Sequence, residues 1–254
     1  MQPHERVSDA IRAANGRALI PFITAGYPQA DTFIETLQLL GEHAAVIEIG
    51  VPFSDPMADG MTIQRSSQTA IANGVNLHWI IEQLQAQRAA IDTPLVLMSY
   101  LNPMLAYGLE QLAVDAEAAG VCAFIVPDLP YEESQPVRDA LASRGLGLVQ
   151  LVTPATPEAR LQTLAHESRG FVYAVTVNGI TGGANGLPEG TFEYLERAKR
   201  LSPLPVCAGF GIRSGEDVTR MCAYVDGAIV GSALVEVLER GDDVTAFMTG
   251  LAGH

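Results

Sequence analysis

The sequence predicts an α/β chain folded as one closed (β/α)8 barrel. Three observations lead there: eight short apolar runs, a helical-period segment after each of them, and a length of 254 residues with no linker, charge block or low-complexity stretch to divide it. A barrel of eight such units needs about 250 residues. An open, doubly wound sheet made from the same alternation is the weaker alternative.

The elements follow in order. The opening MQPHERVSDAIRAA is polar and amphipathic, which predicts a helix ahead of the first strand and not a signal peptide. The apolar runs are 18–24, 46–51, 95–100, 123–126, 147–152, 171–175, 205–209 and 227–230. They are rich in Val, Ile and Leu and mostly lack polar alternation, as strands buried on both faces do. Helices are predicted at 31–42, 76–90, 109–119, 132–143, 157–168, 191–201, 214–223 and 233–239. Thr156-Pro157-Glu158 offers a cap, a first-position proline and an early acid, and Ser214 precedes Glu216 and Asp217. Strict alternation implies parallel strands joined by crossover helices, eight of each, in a single domain over residues 1–254.

Composition narrows the function classes. Hydrophobic residues make up 48% and charged residues 17%, a globular balance. The net charge is −14, from 15 Lys+Arg against 29 Asp+Glu, which repels nucleic-acid phosphates and anionic membranes. A small phosphorylated ligand stays compatible, because backbone N–H groups at a helix start bind phosphate without basic side chains. No apolar run reaches the 18 residues of a membrane span, and the expected compartment is the cytoplasm. Cys122, Cys207 and Cys222 lie in apolar stretches without CxxC spacing and read as small buried hydrophobes. The five histidines are scattered and none falls at a predicted strand end, so no metal site is expected.

In such a barrel, chemistry gathers at the C-terminal ends of the strands. Glu48 interrupts the second apolar run, on the same face as Val46 and Gly50. Desolvation there raises a carboxyl pKa, which suits a group that gives and takes a proton near neutrality. The alternative is a structural Glu paired with an Arg or Lys in the barrel wall. The following loop carries Asp55 and Asp59. Asp59 lies far enough from Glu48 to fold back over the barrel mouth, although both acids are also ordinary turn residues. Tyr100 and Tyr173 fall near the ends of the third and sixth runs, where each either lines a pocket or packs in the core. The last two runs end in Gly209-Phe210-Gly211 and Gly231-Ser232, glycines that open the backbone to an anion or simply make tight turns. The sixth loop, 178–186, adds further glycines.

These motifs, taken together, resemble the tryptophan synthase alpha subunit family over essentially the whole chain. The resemblance is carried by residues 21–28, by Glu48 through Gly60, and by Ile63-Gln64-Arg65-Ser66-Ser67. Tyr100-Leu101-Asn102-Pro103, Val126-Pro127-Asp128-Leu129-Pro130 and the two late glycine motifs follow in the same order. It implies a TIM barrel with an extra N-terminal helix, and a lyase that splits indole-3-glycerol phosphate into indole and glyceraldehyde 3-phosphate by a retro-aldol step. By analogy Glu48 is the main acid/base, Asp59 holds the indole N–H, and Tyr173 supports Glu48 and packs on the substrate. Thr181 positions Asp59. Phe22, Tyr100, Ile125 and Phe210 line the indole pocket, and Gly182, Gly211, Gly231 and Ser232 hold the phosphate. The family works in an α2β2 complex whose beta subunit carries pyridoxal phosphate, so no cofactor or metal is expected on this chain. Asp55-Pro56, Asn102-Pro103 and Asp128–Pro130 would face that partner. Two departures stand out: Met61 where many relatives have proline, and Val177 where some carry arginine.

Two other readings share parts of this pattern. A different phosphate-binding barrel, such as a sugar-phosphate isomerase, would keep the glycine loops but give the Glu48–Gly60 segment no role. A binding subunit with vestigial catalysis would not require Glu48, Asp59 and Tyr173 together.

Overall fold

The computed structural model describes residues 1–176, 190–209 and 211–253. Eight strands are present: β1 (Ala18–Thr24), β2 (Ile47–Gly50), β3 (Leu95–Met98), β4 (Val121–Ile125), β5 (Gly147–Val152), β6 (Val172–Val175), β7 (Val206–Gly209) and β8 (Gly227–Val230). They pair in parallel in chain order, and β8 returns to β1 with Ala18 opposite Gly227 and Pro21 opposite Val230. The barrel is closed, so the open-sheet alternative does not apply.

Two-faced burial explains the unbroken apolar runs. Alternate residues point inward: Ile20, Val46, Val96, Ala123, Ile125, Val149, Cys207 and Ile229 pack together in the lumen. Their neighbours Leu19, Ile23, Ile47, Ile49, Leu97 and Phe124 point outward and pack beneath the helices. Cys122 and Cys207 are buried as expected, while Cys222 is only partly so.

The extra N-terminal helix, Pro3–Ala13, closes the end of the barrel where the strands begin. Val7 and Ile11 are fully buried and join the lumen cluster beside Ala18, Cys122 and Phe171. The Glu5 carboxylate accepts the Gln2 N–H at 2.6 Å, and the Ser8 hydroxyl donates to the Gly170 carbonyl, which fixes the helix across the opening. Burying each aliphatic side chain contributes about 1.5–3 kcal/mol.

Three helices were not predicted: Met61–Ala72, Leu101–Tyr107 and Val244–Ala252. The first buries Ser66, Ser67 and Ala70, so no apolar period marks it; instead the Ser66 and Thr24 hydroxyls meet at 2.6 Å beneath the helix. The second is two turns long, and its first free N–H, at Leu101, donates to the Asp128 carboxylate at 2.9 Å. The third is started by Asp243, whose side chain accepts the Ala246 N–H at 2.9 Å. The predicted cap at Thr156 is also corrected. That hydroxyl turns back to the Thr153 N–H, and the helix begins one residue late, at Glu158. Ser214 caps Gly215–Cys222 as expected, in a reciprocal box with Asp217. Among the described residues no helix is long and apolar enough to cross a membrane.

The plug helix carries a stability prediction. Ile11→Ala is expected to destabilise the protein by about 2–5 kcal/mol in chemical denaturation, with kcat of the folded fraction unchanged because the helix lies at the opposite end from the cavity described next.

Candidate active site

Glu48 is the second residue of β2, between Phe22 of β1 and Val96 of β3 in the pairing register. The period of the strand turns it into the lumen. It is 1% exposed, and neither carboxylate oxygen finds a hydrogen-bond partner among the described residues. The structural alternative required a cation beside it, and none of the described residues supplies one. Burial is the main cause that pushes the Glu48 carboxyl up to about 8, and the charge of Asp59 adds to it. Near neutral pH the group is therefore mostly protonated and able to donate.

Asp59 reaches the same space from the loop after β2, and Tyr100 holds that loop. The Ala58 N–H donates to the Tyr100 hydroxyl at 3.0 Å, and Phe53 stacks on the Tyr100 ring with centroids 5.0 Å apart. The same hydroxyl lies near the Asp59 carboxyl and acts to lower its pKa. Gln64 donates its side-chain N–H to the Asp59 carbonyl at 2.8 Å. Burial raises the Asp59 pKa and outweighs the opposing effect of Tyr100. Asp55, by contrast, is exposed and accepts from its neighbour Ser54.

A cavity of about 520 Å³ opens at the C-terminal ends of the strands, with Glu48, Asp59, Tyr173 and Phe22 on its wall. Gly211, Gly231 and Ser232 line it as well. The Tyr173 hydroxyl is held well above its usual pKa, first by burial and then by the charge of Glu48. Phe22 lies over Gly50, where an added Cβ would come within 2.5 Å of its ring. At the other side Gly211 has a φ of +51°, and the helix Ser232–Arg240 starts with its free N–H groups at the cavity. The Thr176 hydroxyl donates to the Gly209 carbonyl at 2.9 Å and ties the ends of β6 and β7 together.

Of the residues singled out in the sequence, Tyr100 and Ile125 are buried and lie off this wall, Tyr100 behind the Asp59 loop and Ile125 in the lumen below. Thr181, Gly182, Phe210 and Val177 lie outside the described residues. The sequence reading missed Ile63, Met98, Ile229 and Arg213 on the wall. Met98 was within reach, since it shares the inward face of Val96 two residues on; Arg213 carried no pattern that would mark it.

The model of the family described as "Tryptophan synthase alpha chain" matches residues 9–249. The tryptophan synthase alpha chain of Desulfovibrio desulfuricans is 46% identical over 248 residues, covering 95% of this chain and 97% of that protein. Among solved structures, tryptophan synthase from M. tuberculosis in its aminoacrylate-bound form superposes with a TM-score of 0.87 at 35% identity, over 99% of this chain and 98% of that one. The tryptophan synthase α2β2 complex from Pyrococcus furiosus gives 0.87 at 36% identity, over 93% and 98% of the two chains. With its closed barrel, its two cavity acids and this likeness over nearly its full length, the chain belongs to the tryptophan synthase alpha chain family.

Proposed function

We propose that this chain cleaves indole-3-glycerol phosphate to indole and glyceraldehyde 3-phosphate, with Glu48 as the proton donor and acceptor. The observation that carries the reading is the buried, partnerless carboxyl of Glu48 on a cavity wall that also holds Asp59. The protonated carboxyl gives its proton to C3 of the indole, which leaves a cationic ring nitrogen. Asp59 accepts the ring N–H and stabilises that charge. The Glu48 carboxylate then takes the proton of the glycerol hydroxyl next to the ring. The carbon–carbon bond breaks, its electron pair returns to the ring, and an aldehyde forms. Glu48 ends protonated as it began. Tyr173 keeps its proton throughout, supports Glu48 and packs on the substrate. Gly211, Gly231 and Ser232 hold the phosphate through backbone N–H groups.

The partner of this reaction is a beta subunit that carries pyridoxal phosphate and receives the indole, in an α2β2 assembly. No cofactor is assigned to this chain. The docking face is the side of the mouth formed by Asp55-Pro56, Asn102-Pro103 and Asp128–Pro130. The Asp128 cap on the helix Leu101–Tyr107 supports this by joining the last two segments. Met57 on the Asp59 loop and Met61 at the start of the helix after it, 82% and 77% exposed, and Leu105 on the helix Leu101–Tyr107 give the face an apolar character. Indole release should rise when such a beta subunit is added to the isolated chain; no release from either would overturn the function.

Glu48→Gln is expected to lower kcat at least 10²–10⁴-fold in an indole-release assay, roughly the range for loss of a positioned acid/base. The same variant tests the burial. A carboxyl held at about 8 when folded and near 4.5 when unfolded binds more protons in the folded state between those values, so wild-type stability falls as pH rises from about 4.5 to about 8. Glu48→Gln should flatten that slope and melt higher than wild type at pH 8 and above. Identical pH–Tm curves would contradict the assigned ionisation. For the cavity wall, Gly50→Ala should displace the Phe22 ring and raise KM with little change in kcat, read from steady-state kinetics.

A further inference from the structure

Arg213 is the only lysine or arginine among the described residues that line the cavity. It comes two residues after Gly211, and its guanidinium is held by Glu236 through two hydrogen bonds, 2.9 and 3.2 Å long. Glu236 lies in the second turn of the helix Ser232–Arg240, whose first residues, Ser232 and Ala233, line the same cavity. The Arg213 side chain is 62% exposed. Its main chain is fixed independently, because the N–H groups of Arg213 and Ser214 both donate to the Asp217 carboxylate at 3.1 Å. The backbone is thus anchored while the side chain is free to change partner.

We infer that Arg213 supplies a side-chain cation to the phosphate group of the substrate, completing a site whose other donors are backbone N–H groups. This rests on the reading of the cavity as a site for a phosphorylated substrate. The charge balance calls for such a group. Asp59 is in the cavity, Glu236 is beside the helix start, and the whole chain carries −14. Without a cation, the Glu236 carboxylate would repel a phosphate at the N-terminus of its own helix. Arg213 neutralises it when the site is empty. An exposed ion pair of this kind contributes little to stability, so exchanging its carboxylate for a phosphate costs little. A guanidinium also fits phosphate with two parallel N–H bonds, which backbone donors cannot supply as one rigid unit.

The test pairs two variants on the full chain, with glycerol 3-phosphate as the binding probe in calorimetry and indole-3-glycerol phosphate in steady-state assays at low and high salt. Arg213→Gln is expected to raise the probe Kd and the substrate KM about tenfold, equivalent to about 1.4 kcal/mol, to leave kcat unchanged and to weaken the salt dependence of KM. Arg213→Lys should recover part of the loss. Glu236→Gln removes the competing carboxylate and should leave KM at or below the wild-type value. Wild-type probe affinity in Arg213→Gln overturns the proposal. So does a KM in Glu236→Gln raised as far as in Arg213→Gln, since the pair would then act only as a clamp on the helix. A wild-type chain that binds the probe through Arg213 but releases no indole overturns the proposed function and leaves this assignment standing.

Discussion

The structure is organised around one buried carboxyl that no described residue satisfies. Burying an unpaired polar group costs a few kcal/mol, and a charged one far more, so such a group is rare outside functional sites. Glu48 persists because the barrel wall fixes it from both sides: β1 and β3 hold β2 in register, and Ile47 and Ile49 anchor the strand under the helices. The strand cannot slip to expose the acid without turning its whole apolar face outward. The cost of the buried acid falls on stability, and its benefit is a proton held in a dry place at neutral pH.

The two acids are held differently. Glu48 and Tyr173 belong to strands, and their positions follow from pleat and register. Asp59 belongs to a loop whose place depends on a few directed contacts, from Tyr100, Phe53 and Gln64. The helix Met61–Ala72 begins just beyond it and is tied to β1 through Ser66 and Thr24, and to the helix Ser232–Arg240 through Arg65 and Glu239, at 2.9 and 2.6 Å. The Asp59 side of the cavity and the side bearing Gly231 and Ser232 are therefore linked by one bidentate ion pair on the outside of the barrel.

Much of this was legible in the sequence. The bounds of β1, β5 and β8 fell as read, because there the apolar run and the hydrogen-bonded ladder end together. At β2 and β3 the runs continue into Val51 and Tyr100, which stay buried after the ladder has stopped, so apolarity overstates the strand. Glu48 stood out as a lone acid in an apolar strand. The helix Met61–Ala72 was invisible because its buried face is serine and alanine. The anchoring of Asp59 by Tyr100 was invisible too, since it joins residues far apart in the chain through a hydroxyl that either role would bury. Arg213 gave no signal, because an exposed arginine after a glycine turn is common and its meaning depends on what the fold sets opposite it.

The helix Pro3–Ala13 makes the barrel a blind vessel. Val7 and Ile11 fill the far end, and Glu48 lies between that stopper and the cavity at the strands' C-terminal ends. In the proposed mechanism, a substrate seated in the mouth would hold back exchange of the Glu48 proton with bulk water, so that the proton given to carbon and the one recovered from oxygen stay within the cavity. On that proposal the N-terminal helix, although remote from the cavity, helps to decide which hydrogens the carboxyl trades.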